Sequence, residues 1–219
     1  MIFETYADRD QLAINLANNL AGDIKNALLH HDTVSLAVPG GTTPGPIFDV
    51  LSAARLDWER VTVMATDERW VAPDNARSNA AMISERLLTG PAEAATMIPF
   101  YRAGLSARDG AAAAAKAVQA HLPLSVLLLG MGEDGHVASL FPDAPDLAQA
   151  LDPDAPAVVS QSPASQPETR LSLAAHVLNG ALAKHLVIFG AAKRDALNAA
   201  STDTPVRRVA SDLVVHWAL

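Results

Sequence analysis

Apolar residues recur every fourth position at Leu12, Leu16, Leu20, Ile24 and Leu28. That spacing lines one face of a helix, and Asp8 ahead of it suits an N-cap, so a helix is predicted over residues 8–30. The pattern then changes to short, unbroken apolar runs. Residues 33–54, TVSLAVPGGTTPGPIFDVLSAA, read as a strand, a glycine-bearing turn and a helix carrying Ile47, Phe48, Val50 and Leu51. RVTVMAT predicts a second strand, which runs into a polar loop, DERWVAPDNARSN, and then a helix over about 78–88. RDGAAAAAKAVQAHL is helical by propensity, and LSVLLLG after it reads as a buried strand. A looser Pro/Asp-rich region follows at about 141–169. TRLSLAAHVLNGA then predicts a strand and a short helix, KHLVIFGAAKRDALNAA a strand, turn and helix, and the tail PVRRVASDLVVHWAL one closing strand.

Strands alternating with helices predict a layered α/β domain with a largely parallel sheet. There is no internal repeat. The Pro-rich 152–167 segment is read as a surface loop rather than a domain boundary, so residues 1–219 are taken as a single domain. In such sheets a ligand sits beyond the carboxyl ends of the strands. Four predicted strand ends carry unusual residues: 39–43, 67–69, 130–136 and 190–193. They are the candidates for one shared site.

Composition narrows the classes. Of 219 residues, half are hydrophobic and 18% charged, which argues against disorder. A formal charge of −8 argues against a nucleic-acid partner and means that an anion would have to be held by local groups. With no cysteine, thiol nucleophiles, disulfides and thiolate metal sites are excluded. The N-terminal stretch lacks a basic segment followed by an apolar one, and no apolar run approaches membrane-spanning length, so a cytoplasmic protein without a secretory signal is expected.

The glycines of GMGEDG, Gly130, Gly132 and Gly135, fit the spacing of a dinucleotide-binding loop. That fingerprint needs a helix directly afterwards, yet Pro142 comes seven residues after Gly135, and no acid ends a following strand. The alternative is a tight turn presenting Asp134 and His136, in which a carboxylate orients a histidine as a general base. An ordinary turn histidine is the bland reading. The other histidines, His30, His31, His121, His176, His185 and His216, are read as structural residues without companions.

The turn bearing Gly40, Gly41, Thr42 and Thr43 offers backbone N–H groups and hydroxyls to an anion, a plain capped turn being the alternative. Asp67, Glu68 and Arg69 follow a buried strand, where they either orient a substrate or form a surface ion pair. Arg170 begins a strand and Lys193 begins a helix, where a cation opposes the helix dipole and an anionic partner would rationalise it. No G-x-S-x-G elbow or H-E-x-x-H motif is present, and neither a metal nor a cofactor is expected.

PGGTTP, DERWV with Asn79 in the SN pair, GMGEDGHVASLFP, RLSL, GAAK and the terminal VHW occur in that order. This ordered set resembles the 6-phosphogluconolactonase family, within the wider glucosamine-6-phosphate isomerase/6-phosphogluconolactonase group, over nearly the whole chain. The resemblance implies a three-layer α/β/α, Rossmann-like fold and hydrolysis of 6-phospho-D-glucono-1,5-lactone. His136 would be the base, Asp134 and Asp67 orienting acids, and Arg69 the oxyanion stabiliser. Gly40, Gly41, Thr42, Thr43, Arg170 and Lys193 would hold the phosphate. The related deaminases share GEDGH but carry a glutamate where this chain has Phe141, which favours the lactonase branch. A deaminase-type isomerase and a non-catalytic phosphosugar sensor are the alternatives. A small-molecule partner is expected, with neither nucleic acid nor membrane, on a monomer or, as the alternative, a dimer.

Overall fold

The computed structural model describes residues 1–219. In chain order the elements are β1 (Ile2–Thr5), α1 (Arg9–Leu28), β2 (Val34–Val38), α2 (Gly45–Leu51), β3 (Val61–Ala65), β4 (Asp67–Arg69), α3 (Asn79–Arg86), β5 (Thr96–Ile98), α4 (Ala107–Gln119), β6 (Val126–Gly130), α5 (Leu147–Leu151), β7 (Val158–Gln161), β8 (Arg170–Leu173), α6 (Ala175–Asn179), β9 (Ala183–Phe189), α7 (Gly190–Ala199), α8 (Pro205–Arg208) and β10 (Val214–Ala218). Seven strands form a parallel sheet in the order β1-β10-β9-β6-β2-β3-β5. β4, β8 and β7 form a separate antiparallel sheet.

The central strands are largely apolar because both of their faces are covered. Along β2, Leu36 and Val38 pack with α1 and α2, while Ala37 points to the opposite core; Val126 and Leu128 of β6 divide from Leu127 and Leu129 in the same way. The result is an α/β fold with a core on each side of one sheet. Helix α1 starts where Asp8 accepts a hydrogen bond from the Gln11 N–H at 2.7 Å, a cap that contributes about 1 kcal/mol. Its face Leu12, Leu16, Leu20 and Ile24 is fully buried, each side chain contributing roughly 1.5–3 kcal/mol. Leu28, predicted for that face, is only half-buried at the last turn.

Four short strands escape the apolar pattern. β1 and β5 are the sheet edges, so they need only one good partner and a few suitable residues. β7 lies inside the segment read as a surface loop: Val158, Val159 and Gln161 are buried, so that reading is corrected. The polar loop after β3 likewise contains β4, whose pairing with β8 sets Arg69 opposite Arg170 and Asp67 opposite Ser172. Thr66 joins the two sheets, donating its N–H to Val38 O and accepting from the Leu173 N–H, both at 2.9 Å.

A second correction concerns the histidines. His185 and His216 have companions, because parallel β9 and β10 put both on the α1 face of the sheet. A chain of polar contacts runs Asp23–His185–His216–Tyr6–Glu4, with steps of 2.8, 2.9, 2.8 and 2.5 Å. Burial, then the neighbouring His185, pushes His216 down to about 4, against the opposite pull of Glu4 and Asp23.

Candidate active site

The chain leaves β2 towards β3 on one side, while β6 lies on the other, so the loops after β2 and β6 diverge. A crevice at the carboxyl ends of strands follows from that switch in direction. Here it is a cavity of about 250 Å³, reached by residues from all of the four strand ends except that Lys193 alone represents 190–193. Three cations, Arg69, Arg170 and Lys193, and one carboxylate, Asp67, line it. A chain that is acidic overall therefore keeps a local excess of positive charge in this cavity.

The loop after β6 folds back on itself. Gly132 donates its N–H to His136 O at 3.0 Å, and Gly135 donates to Gly132 O at 3.0 Å. A Cβ on Gly132 would stand 2.2 Å from the His136 ring, and Gly135 has φ +80 with Thr204 pressed against it. Both positions therefore need glycine for the histidine to occupy its place. α8, which the hydrophobic pattern did not reveal, holds this loop through a 3.1 Å bond from the Val206 N–H to Gly135 O. No helix follows until α5, so the dinucleotide alternative lacks its anion-binding element.

His136 Nδ1–H donates to Asp134 Oδ1 at 2.6 Å, and its own backbone N–H reaches the same oxygen at 3.2 Å. This leaves Nε2 as the ring nitrogen available to a water molecule. The ring stacks on Phe141, with centroids 4.1 Å apart and planes at 28°. Asp134 does not line the cavity, which makes it the support of the histidine rather than a wall of the site.

Asp67 lines the cavity but does not touch His136. It accepts from Ser139 Oγ at 2.5 Å and from Thr66 Oγ1 at 3.2 Å, and faces Arg170 Nη1 at 4.0 Å. Glu68, with 1% exposure, serves the fold: it accepts from the Asn79, Ala80 and Arg69 backbone N–H groups and from Ser78 Oγ, securing the start of α3. Burial pushes its carboxyl up, and those hydrogen bonds pull it down.

Arg69 donates through Nη1 to Asn79 Oδ1 at 2.6 Å and to Arg77 O at 2.8 Å, while its buried Nε has no partner. Asn79, whose Nδ2 donates to Asp67 O at 2.7 Å, packs directly on Gly40. It thus links the β2 and β3 strand ends, a role its place in a motif did not reveal. Arg170 is 4% exposed, donates through Nη2 to Gln166 at 2.6 Å, and also has a buried, unpartnered Nε. Burial is the main cause of its lowered pKa; Asp67 raises it and Arg69 lowers it further.

Lys193 stands in the first turn of α7, with no ion-pair partner, and Gly40, Gly41 and Thr43 also line the cavity. Thr42 faces an adjoining hollow with Arg69, Arg77 and Arg86 instead. Of those, Arg77 pairs with Glu168 at 2.6 Å and Arg86 with Asp49. Ala138 lines the cavity and the fully buried Ser139 bonds to Asp67, and no local pattern in the sequence marks either. No group of three His, Asp or Glu side chains is gathered as a metal site would need.

Known proteins resemble this chain in sequence and in fold. The chain is 40% identical over 207 residues to a 6-phosphogluconolactonase of Mesorhizobium japonicum, covering 93% of this chain and 86% of that one. Against a 6-phosphogluconolactonase of Pseudomonas aeruginosa it is 36% identical over 222 residues, with coverage of 98% and 93%. The crystal structure of a 6-phosphogluconolactonase from Shewanella baltica superposes with a TM-score of 0.96 at 30% identity, over 100% of this chain and 98% of that one. Residues 7–217 match the model of a family described as glucosamine-6-phosphate isomerases/6-phosphogluconolactonase. With that match and those relatives, the chain belongs to the glucosamine-6-phosphate isomerase/6-phosphogluconolactonase family.

Proposed function

We infer that the chain is a hydrolase that opens 6-phospho-D-glucono-1,5-lactone to 6-phospho-D-gluconate, a step of the pentose phosphate pathway. The observation that carries this reading is one cavity holding both a carboxylate-oriented histidine and an excess of cations. A lactone is an activated ester, so a well-placed base and water suffice without a covalent nucleophile. His136 Nε2 takes a proton from water as its oxygen bonds to C1, and the electron pair of the carbonyl moves onto its oxygen. Arg69, which lines the cavity, stabilises that oxyanion. Collapse of the tetrahedral intermediate breaks the bond from C1 to the ring oxygen, which takes the proton back from the imidazolium. Asp134 keeps the ring in the required tautomer.

Lys193, Arg170 and the loop of Gly40, Gly41 and Thr43 hold the 6-phosphate and so fix C1 beside the water. Thr42 supports this loop from the neighbouring hollow. Asp67 is the counter-charge of Arg170 rather than a partner of His136. The deaminase alternative asks for an acid where Phe141 stands; a phenyl ring stacked on His136 has no proton to shuttle.

The test is turnover of freshly generated 6-phosphogluconolactone, alongside ammonia release from glucosamine 6-phosphate. Lactone hydrolysis without ammonia is expected, and the reverse result would overturn the reading. Lys193→Ala should raise KM for the phosphorylated lactone about tenfold while leaving that for unphosphorylated gluconolactone unchanged.

A further inference from the structure

Asp67 and Arg170 are a buried acid and base that have not closed on each other. A carboxylate beside a guanidinium in such surroundings forms a two-pronged pair with nitrogen–oxygen distances of about 2.8 Å. Here the separation is 4.0 Å, although Asp67 and Arg170 are only 7% and 4% exposed. The competing partner is Ser139, which is completely buried and donates its hydroxyl to the same oxygen, Asp67 Oδ2, at 2.5 Å. Arg170 Nη1 thereby makes no hydrogen bond to the carboxylate, and its buried Nε has no acceptor in the protein either.

The backbone around Ser139 is shaped for this contact. Val137–Leu140 is a tight turn, closed by the Leu140 N–H to Val137 O at 3.0 Å, and its corner Ala138 has φ +50. A left-handed alanine is strained and persists only where neighbours over-determine it. Ser139 supplies two such restraints, its hydroxyl on Asp67 and its N–H on Ser172 Oγ at 3.2 Å. The same turn delivers Phe141 to a place under His136 and 5.8 Å from the Arg170 guanidinium carbon.

We propose that Ser139 is a positioning residue of the anion site: its hydroxyl holds Asp67 back, so that the carboxylate neutralises Arg170 from a distance while the guanidinium keeps donors open for the substrate's phosphate. The proposal rests on the reading of Arg170 as a phosphate-holding cation. Without the hydroxyl, Asp67 closes onto Arg170 and competes with the incoming anion. Ser139 acts through Asp67 and touches no reacting atom.

The experiment is calorimetric titration of inorganic phosphate into the full chain and its variants, with folding checked by circular dichroism. Ser139→Ala should weaken phosphate binding about tenfold. Ser139→Cys, of similar size but a weaker donor, should show part of the same loss, and it carries the test if the alanine variant does not fold. Adding Asp67→Asn to Ser139→Ala should restore phosphate affinity, because a neutral amide cannot form the closed ion pair. A merely structural serine gives no such reversal. Native phosphate affinity in both serine variants, or a double variant as weak as the single one, overturns the proposal. Lactone turnover is measured separately: a chain that binds phosphate as described but leaves the lactone intact sinks the lactonase reading and leaves the role of Ser139 standing.

Discussion

His136 and His185 each hold a carboxylate, Asp134 at 2.6 Å and Asp23 at 2.8 Å, yet their surroundings have little else in common. His136 stands on a loop beyond the carboxyl end of β6, with a free ring nitrogen, an aromatic ring beneath it and cations across the same cavity. His185 lies within β9, and both of its nitrogens are taken, one by Asp23 and the other by His216. The first pair is open at one end and the second is closed at both. A histidine beside an acid is therefore no signature of catalysis on its own. What makes the pair useful is an unoccupied nitrogen facing a place where substrate can sit.

The largest expected effect separates the two directly. His136→Ala should lower kcat/KM by ~10²-fold or more, the scale of a lost general base, with little change in thermal stability because the ring is partly exposed. Steady-state kinetics beside a melting curve would check both halves, and undiminished turnover would remove His136 from the mechanism.

The closed pair should instead respond to acid. The folded value of His216, about 4, lies below the free value of 6.5, so the unfolded chain binds this proton more tightly between the two. Stability from this group is complete above pH ~6.5 and is lost as pH falls through about 4, a difference on the order of 3 kcal/mol. Urea unfolding across that range should show the decline, and a flat profile there would contradict it. His216→Ala should remove this part of the slope and cost roughly 2 kcal/mol at neutral pH, since His185 and Tyr6 lose a buried partner. The kcat/KM of the folded variant should stay native, because the network lies outside the cavity.

The smallest effect concerns the support of the open pair. Asp134→Asn keeps the shape but no longer stabilises the charged imidazolium, and an amide can present its N–H to Nδ1 and so favour the other tautomer. A drop in kcat of about tenfold with KM nearly unchanged is expected. A larger rise in KM than fall in kcat would mean that Asp134 serves binding instead.

Legibility in the sequence followed the range of the interactions. The face of α1 shows in Leu12, Leu16, Leu20 and Ile24 because residues four apart in a helix share one side. β2, β3, β6 and β9 show because a strand covered on both faces must be apolar nearly throughout. β7 and β4 do not show, being short and taking their stability from β8 rather than from any pattern of their own. Likewise the glycines around His136 announce a shaped turn within a few residues, whereas nothing near Ser139 announces Asp67, which lies 72 residues away in sequence.

The α/β alternation, the position of the strand ends and the residue types gathered there are legible in the chain, because each depends on periodicity or on neighbours a few positions apart. Tertiary structure alone decided which of those residues meet. Strand order put His185 against His216, and the β4–β8 register set Arg69 beside Arg170. The loop after β6 gave Asp67 to Ser139, 72 residues away. Such pairings depend on the packing of elements distant in the chain, and local patterns carry no record of the partner.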